Sequence, residues 1–505
     1  MLLTALPSEL ILQIFEQIPD AQTLQSLACT CSNFQQIAEV CLYSRFLFTR
    51  RESFKKLVDS LNKDSQRYNH VRDVELRYST QAYDFLSTEP MDLCEFPNLR
   101  SFVSESPFCN AHSYVGRKDE GIWIADMKHY LHAFERASIL TPGPEDGTLS
   151  KPLNNLKSLT LHWTGGLNAR FWTTTPSCPI FLLPSLKKLE ISCVKIKASE
   201  NDQALQPFAY RTNLEELTFT ESLVTTEALE RILSLPKSLR SLTLHEVYRH
   251  RFNVGTGDYR HPLDNLDGML RAISQQSDNL RVLNIFGPSV NDLQIAHLDL
   301  STFACLTHLG LRNTYRYRLE QPPPSLTTLR IEDFAATAMT PSRLDSLLSE
   351  VNIVDCVANC ANRQETLKLD LRLQDVAIVM LIGGHGPDAS RPLRAFVDNF
   401  VQEIGKRVEM RRNRHLSSYG TISPDAPQTS ISAPSPRRTS PLRLRLLTAK
   451  RIRYMPPYLH TEKRPKWVVR YDSGILAHPY YDETGDLIGS ESSEDEEMNE
   501  IFMAH

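Results

Sequence analysis

The sequence lacks the motifs that many enzymes carry at their active sites. The patterns G-x-x-x-x-G-K-[ST], G-x-S-x-G and H-E-x-x-H and the dinucleotide-binding glycine run do not occur in its 505 residues. Residues 383–387 place His385 among glycines, but a tight turn after an apolar run explains this segment. We therefore expect no catalytic residue, no cofactor and no metal, and the chain is predicted not to be an enzyme.

Other absences indicate the compartment. The ten cysteines form no C-x-x-C pair, and no N-x-[ST] acceptor occurs. Lys and Arg are absent before Arg45, and the longest apolar run, residues 376–382, is too short to span a bilayer. A formal net charge of −4 gives no general indication of nucleic-acid binding. We expect a protein of a reducing compartment, cytoplasmic and/or nuclear, that binds neither nucleic acid nor membrane.

The first fifty residues predict three short amphipathic helices. In the first, Pro7 suits the opening turn, and Glu9 lies near the positive end of the helix dipole. Asp20 is the predicted N-cap of the second helix, and Ser32 with Gln35 predicts a capping box at the third. Because so small a unit rarely forms a stable core alone, we expect an exposed apolar face that binds a partner.

This segment resembles an F-box. The residues that carry the resemblance are Leu6-Pro7-x-Glu9-Leu10, Ile11, Ile14, Ile18, the run "LACTCSNF" and Leu42-Tyr43. We assign residues 1–48 to it; Phe34 and Tyr43 stand where many members carry Trp. The resemblance implies binding to the Skp-type adaptor of a cullin-based ubiquitin ligase, with adaptor contacts expected from Leu6, Pro7, Leu10, Ile14 and Leu27. An ordinary helical cap on the following domain is the alternative.

A repeated pattern follows. L-x-x-L-x-[LIF] occurs seven times, with first leucines at Leu156, Leu186, Leu214, Leu239, Leu280, Leu306 and Leu326. Successive copies are 20 residues (Leu306 to Leu326) to 41 residues (Leu239 to Leu280) apart, and Asn or Ser precedes the first leucine in six of them. Residues 71–76 and 97–102 look like decayed earlier copies. Such periods are typical of stacked repeat proteins.

The L-x-L part of each copy alternates as a strand does, with its leucines inward. Helices predicted at 227–235 and 266–273 would connect strands into a parallel sheet. The predicted fold class is α/β: short all-α F-box helices, then an irregular leucine-rich-repeat-like solenoid with capping elements over residues 49–410. This arrangement resembles F-box proteins that carry leucine-rich repeats. Amphipathic helices, which also produce L-x-x-L, are the alternative.

The remaining segments are assigned from composition. A helix at 342–357, a strand at 367–371 and a helix at 393–410 are expected to close the array. Residues 411–445, rich in Ser, Pro and Arg, are predicted to be a disordered linker, and residues 489–505 an acidic disordered tail. Between them, the aromatic and β-branched content of residues 446–488 predicts a β-hairpin segment.

Side chains between the core leucines and in the loops after strands are candidates for target binding. Three aromatic-rich loops, two of them basic, are expected to share one rim, which suits an acidic or phosphorylated protein segment. The candidates are Trp163, Trp172, Tyr248, Arg249, Arg251, Arg260, Phe286, Arg312, Tyr315, Arg316 and Arg318. Solvated loops with locally packed aromatics are the alternative.

The resemblance thus predicts a substrate-recognition subunit of an SCF-type ubiquitin ligase. Its partners would be a Skp-type adaptor, the cullin scaffold and an unknown target protein. Two alternatives remain open: an F-box scaffold that binds the adaptor without delivering a substrate for degradation, and a hydrolase or transferase with an unrecognised site.

Overall fold

The computed structural model describes fifteen segments of the chain. They are residues 6–49, 51–77, 92–106, 120–140, 151–163, 171–245, 266–286, 296–312, 317–332, 356–357, 359–360, 363, 365–373, 442–448 and 468–472. The chain divides into two compact units, of which the first extends to Gln276 and the second begins at Ser277. None of the helices within these segments is long and apolar enough to cross a membrane.

The first unit begins with three helices and continues as a parallel sheet. Its helices are α1 (Ser8–Glu16), α2 (Ala21–Ala28), α3 (Ser32–Leu42), α4 (Arg51–Lys63), α5 (Glu120–Ala137), α6 (Thr226–Ser234) and α7 (Leu266–Ser274). Its strands are β1 (Arg45–Phe48), β2 (Asp73–Arg77), β3 (Ser101–Glu105), β4 (Ser158–His162), β5 (Trp172–Thr174), β6 (Lys188–Ser192), β7 (Val194–Ile196), β8 (Glu216–Thr220), β9 (Leu223–Val224) and β10 (Ser241–His245). The main sheet has the order β1-β2-β3-β4-β6-β8-β10, and all of these neighbours are parallel.

The repeated leucines form the core side of this sheet. In β4, Leu159 and Leu161 are fully buried, and the matching residues of β6, β8 and β10 are buried in the same way. The first leucine of each copy, such as Leu156, is also buried just before its strand. These residues lie in strands, so the amphipathic-helix alternative is wrong for them. The predicted helices at 227–235 and 266–273 correspond to α6 and α7.

Polar residues connect each copy to the preceding one. The Asn98 side chain donates to the Asn69 carbonyl at 2.8 Å, and Asn155 donates to that of Pro97 at 2.9 Å. Ser185, in the same position of its copy, donates to the Leu156 carbonyl at 3.0 Å. In these copies the Asn or Ser before the leucine run therefore donates to a backbone carbonyl of the previous copy.

Backbone hydrogen bonds also join the helical segment to the sheet. The carbonyl of Ser44, just after α3, accepts hydrogen bonds from the amides of Arg72 and Asp73 at 2.8 and 3.0 Å. The carbonyl of Arg72 in turn accepts from Arg100 and Ser101 at 2.6 and 3.1 Å. Strand β1 therefore acts as the first rung of the sheet, directly continuous with the three helices.

A second parallel sheet in this unit, of order β5-β7-β9, was not predicted from the sequence. Its strands have only two or three residues. Strand β5 starts at Trp172, whose amide donates to the Cys193 carbonyl at 3.1 Å. Trp172, which the sequence predicts on an exposed rim after β4, thus lies in a strand that pairs with β7.

The second unit continues the strand pattern. Its strands are β11 (Val282–Phe286), β12 (Ala296–Asp299), β13 (His308–Arg312), β14 (Tyr317–Gln321), β15 (Thr328–Glu332), β16 (Leu367–Leu373), β17 (Leu442–Thr448) and β18 (Val468–Asp472). The order is β11-β13-β15-β16-β17-β18, parallel except for the antiparallel last pair, and β12 pairs with β14.

Some of the segments predicted from the sequence coincide with strands of this unit, and others lie outside the described residues. Strand β16 contains the predicted strand 367–371, and β17 begins at Leu442, inside the segment 411–445 that the sequence predicts as linker. Its antiparallel pairing with β18 falls mostly in the predicted hairpin segment. The turn at 383–387, the helix at 393–410, the rest of the linker and the acidic tail lie outside the described residues, as does most of the predicted helix 342–357.

Candidate functional site

The three N-terminal helices share a small apolar core. Ile11 and Phe15 of α1 pack against Leu24 of α2 and against Phe34 and Ile37 of α3. The rings of Phe15 and Phe34 meet edge to face, with centroids 5.4 Å apart. Helix α1 thus contributes Ile11 and Phe15, with the partly buried Leu12 beside them, whereas Leu10 and Ile14 of the same helix do not belong to this core.

The caps of these helices agree with the sequence at one helix and differ at another. The Asp20 carboxylate accepts from the Thr23 hydroxyl, then from the amides of Thr23 and Gln22, and these bonds lower the pKa of Asp20. The predicted capping box at α3 is wrong, because Cys31 is the N-cap and makes no side-chain cap bond. Gln35 instead donates to Glu39 at 3.3 Å, one helical turn further on.

Helix α1 presents an exposed apolar stripe. Leu10 and Ile14 retain 45% and 42% of their accessible surface, and Pro7, one turn earlier on the same side, is also exposed. Leu6 and Leu27 are half-buried and pack against the helical core. Of the five residues predicted to contact an adaptor, three are therefore exposed together on α1 and two contribute to packing.

Polar contacts fix the helices to the start of the sheet. The Tyr43 hydroxyl lies 2.7 Å from the Ser60 hydroxyl, and the Arg67 guanidinium lies over the Tyr43 ring, 4.9 Å from its centroid. Arg67 also pairs with Glu39 at 3.1 Å. Tyr43 thus holds the end of α3 through both its hydroxyl and its ring.

The three predicted target-binding aromatics whose side chains the structure describes are buried. Trp163 is 0% exposed, and its indole nitrogen donates to the Ser104 hydroxyl at 2.9 Å. Its ring lies 5.3 Å from that of Trp172, which is buried as well. Phe286 is also buried. Trp163 and Trp172 therefore are not the exposed anchors that the sequence predicts, and the Phe286 ring is covered by the Arg330 guanidinium.

The structure does not describe the side chains of the remaining candidates. Arg312 is the last residue of β13 and Arg318 lies within β14, and only their backbones are described. The others, Tyr248, Arg249, Arg251, Arg260, Tyr315 and Arg316, lie outside the described residues. The shared basic rim therefore stays a prediction.

A buried charged row at the ends of β2, β3 and β4 was missed. In register, Arg77 lies beside Glu105, and Glu105 beside His162. The His162 ring nitrogens lie 3.4 Å from Glu105 Oε1 and 3.1 Å from Glu190 Oε1, and Arg77 lies 3.3 Å from Glu105. Burial alone would lower the pKa of His162, but the hydrogen bonds to the two carboxylates outweigh it and raise that pKa. The sequence signal is a charged residue directly after successive core positions, but only the register shows that these residues meet.

The outward face of the second unit has a different charge pattern. Arg445 of β17 makes a two-pronged ion pair with Asp370 of β16, with N–O distances of 2.8 and 2.7 Å and both side chains under one tenth exposed. On β15, the neighbour of β16, the Arg330 guanidinium lies over the Phe286 ring of β11, 5.2 Å from its centroid. Both arrangements fix a guanidinium group on the sheet face.

Three helices with an exposed apolar stripe are directly continuous with a parallel sheet of leucine-rich strands, so a small helical module is joined to a larger α/β region. Residues 3–49 match the F-box-like family. The chain therefore contains an F-box-like domain, whose last residues include β1. A comparison with curated proteins gave no match.

Proposed function

We propose that this protein is a substrate-recognition subunit of an SCF-type ubiquitin ligase. In this proposal α1–α3 bind a Skp-type adaptor, which connects the chain to a cullin scaffold. The sheet region is a leucine-rich-repeat-like solenoid that holds a target protein for ubiquitination. The chain itself performs no chemistry, needs no cofactor, and acts in the cytoplasm and/or nucleus.

The observation that carries the proposal is the F-box-like match over residues 3–49 together with the exposed Leu10 and Ile14. Large exposed apolar side chains one helical turn apart are typical of an interface. Because a little under half of each side chain remains to be buried, each contributes about 1 kcal/mol to binding. The pair is then worth about 2 kcal/mol, roughly thirtyfold in Kd.

Two features of the sheet support its role in target binding. The strands stay in register over successive copies, and their outward positions are polar apart from Val103, so that a largely polar face is presented. Small hydroxyl side chains, such as Ser158, Thr160 and Thr218, leave room on this face for another chain.

The test compares adaptor binding by the full chain and by Leu10→Ala/Ile14→Ala. The control is Leu140→Ala, because Leu140 has the same 42% exposure as Ile14 but lies after α5. We expect the double variant to bind purified Skp-type adaptor roughly thirtyfold more weakly, with the control unchanged. Equal binding by all three proteins would contradict the adaptor role of α1.

Delivery of a target needs a second measurement. Proteins captured by both the wild type and the double variant, but not the adaptor or cullin, are candidate targets. Their half-lives are expected to lengthen in cells that carry only the double variant. If half-lives of captured proteins do not change although adaptor binding is lost, the chain is an adaptor-binding scaffold instead.

A further inference from the structure

Strand β17 enters the sheet of the second unit over a long connection. It begins at Leu442 and its parallel neighbour β16 ends at Leu373, so that 68 residues join them, the longest connection between neighbouring parallel strands within either unit. In register, Leu369 of β16 follows Leu329 of β15 by 40 residues, which is within the spacing of the sequence copies, whereas Leu444 follows Leu369 by 75. Strand β17 therefore lies in the sheet without continuing the repeat spacing.

The strand is nevertheless held along its whole length by β16. All seven residues of β17 pair with the seven residues of β16 in an unbroken parallel register. On the core side, Leu367 and Leu369 are fully buried, and their partners Leu442 and Leu444 are buried with them. A strand in this position must therefore supply an apolar residue at two alternate positions.

The opposite face of β16 requires a cation at one place. Asp370 is almost completely buried, and the Arg445 guanidinium donates to both of its oxygens, at 2.8 and 2.7 Å. A buried carboxylate that loses such a partner is left poorly solvated, which is costly. Any strand that pairs with β16 in this register therefore needs an arginine directly after its second leucine.

A strand at the end of a long connection behaves as a tethered ligand. Its occupancy depends on its own affinity and on the effective concentration that the connection provides, which falls as the connection lengthens. Main-chain hydrogen bonds of a parallel pair are available to any extended segment, and without β17 the N–H and C=O groups on that edge of β16 would be unpaired. A segment from another protein with the same side-chain pattern can therefore compete for the edge.

We propose that the β16 edge is a strand-addition site, that β17 occupies it as an intramolecular ligand, and that a partner protein with an extended Leu-x-Leu-Arg segment binds there by displacing β17. The leucines of that segment take the places of Leu442 and Leu444, and its arginine pairs with Asp370. This inference goes beyond the proposed function, because it concerns a contact that needs neither the adaptor nor the cullin.

The test uses full-length chains and a fluorescent peptide of residues 440–449. In Arg445→Met the β17 leucines remain but Asp370 loses its cation, so that the peptide's own arginine can restore the ion pair. We expect this variant to bind the peptide at least tenfold more tightly than the wild type, whose site is occupied. A peptide carrying Arg445→Met should bind the same variant at least tenfold more weakly than the native peptide. The matched control is Asp370→Leu/Arg445→Met, which lacks the carboxylate and should not distinguish the two peptides.

Hydrogen exchange of the wild-type chain provides an independent measurement. We expect the amides of β17 to exchange before those of β13 and β15, and to exchange faster still when the peptide is added in excess. Protected β13 and β15 amides in Arg445→Met show that the second unit stays folded. If that variant loses this protection, the wild-type exchange with and without peptide decides alone.

Each outcome decides the matter. The proposal is overturned if folded Arg445→Met binds both peptides equally or binds neither, if the double variant still prefers the native peptide, or if the wild type binds as tightly as Arg445→Met. It is also overturned if β17 exchanges together with β15 whether or not the peptide is present. Adaptor capture by α1 is a separate measurement, so none of these results bears on the proposed function.

Discussion

The buried charged row of the first unit predicts a pH-dependent stability. His162 is almost completely buried between Glu105 and Glu190, and Arg77 contacts the far side of Glu105. One oxygen of the Glu105 carboxylate, Oε2, has no hydrogen-bond partner. Because Glu105 is so poorly solvated, it depends on the positive charges beside it, and a protonated His162 is one of them.

The sign of the effect follows from the direction of the pKa shift. The pKa of His162 is raised in the folded protein, so the folded state holds a proton that the unfolded state releases. The resulting stabilisation is complete below about pH 6.5, the ordinary value for histidine, and is lost as the pH rises through the higher folded value. Each unit of the shift is worth about 1.4 kcal/mol.

His162→Gln isolates this contribution, because Gln can still donate a hydrogen bond but cannot take up a proton. We expect the variant to be about 3–5 kcal/mol less stable to unfolding than the wild type near pH 6, because the substitution removes one partner of a buried charged pair. The measurement is urea unfolding of the full chain between pH 6 and 9. Wild-type stability should fall across this window and the variant's should stay nearly flat; parallel curves would refute the reasoning.

Two further predictions concern the second unit. Gly310→Ala should cost about 1–3 kcal/mol in unfolding free energy, because the new Cβ would collide with Asn284 Oδ1, and the cost should shrink when Asn284→Ala is added; an unchanged cost in the double variant would contradict this. Asp370→Ala and Arg445→Met alone should each cost about 3–5 kcal/mol, but Asp370→Leu with Arg445→Met should cost much less, because neither charge is then left buried alone. Urea unfolding measures the stability of both sets of variants. Additive losses in Asp370→Leu with Arg445→Met would contradict the expectation that a lone buried charge causes the cost of each single change.

The strands could be predicted from the sequence because each copy repeats the same local pattern. Leu159 and Leu161 alternate with polar residues, and the only arrangement that buries both is a strand. The exposed stripe of α1 was equally accessible, since Pro7, Leu10 and Ile14 recur at helical spacing. In both cases the pattern that predicts the structure lies within a single helix or a single strand.

What escaped prediction depends on distant residues. Trp163 follows a strand and looks like a loop residue, but Ser104 of the neighbouring strand accepts its indole proton. The contact of His162 with Glu105 requires the register of β3 and β4, which single copies do not specify. Strand β17 begins in a segment that composition assigns to a linker, and its partner β16 lies seventy-five residues earlier in the chain, as from Asp370 to Arg445.

The position of β1 decides how the docking helices should be tested. The F-box-like match ends at residue 49, yet residues 45–48 pair with β2 and Ser44 accepts two hydrogen bonds from its start. Removing residues 1–48 would expose the edge of β2 and leave Arg67 without Glu39 and Tyr43. A truncated chain would then capture proteins through its new edge, whereas exchanging Leu10 and Ile14 changes only side chains that are already exposed. The point variants therefore separate adaptor binding from the integrity of the sheet, which truncation does not.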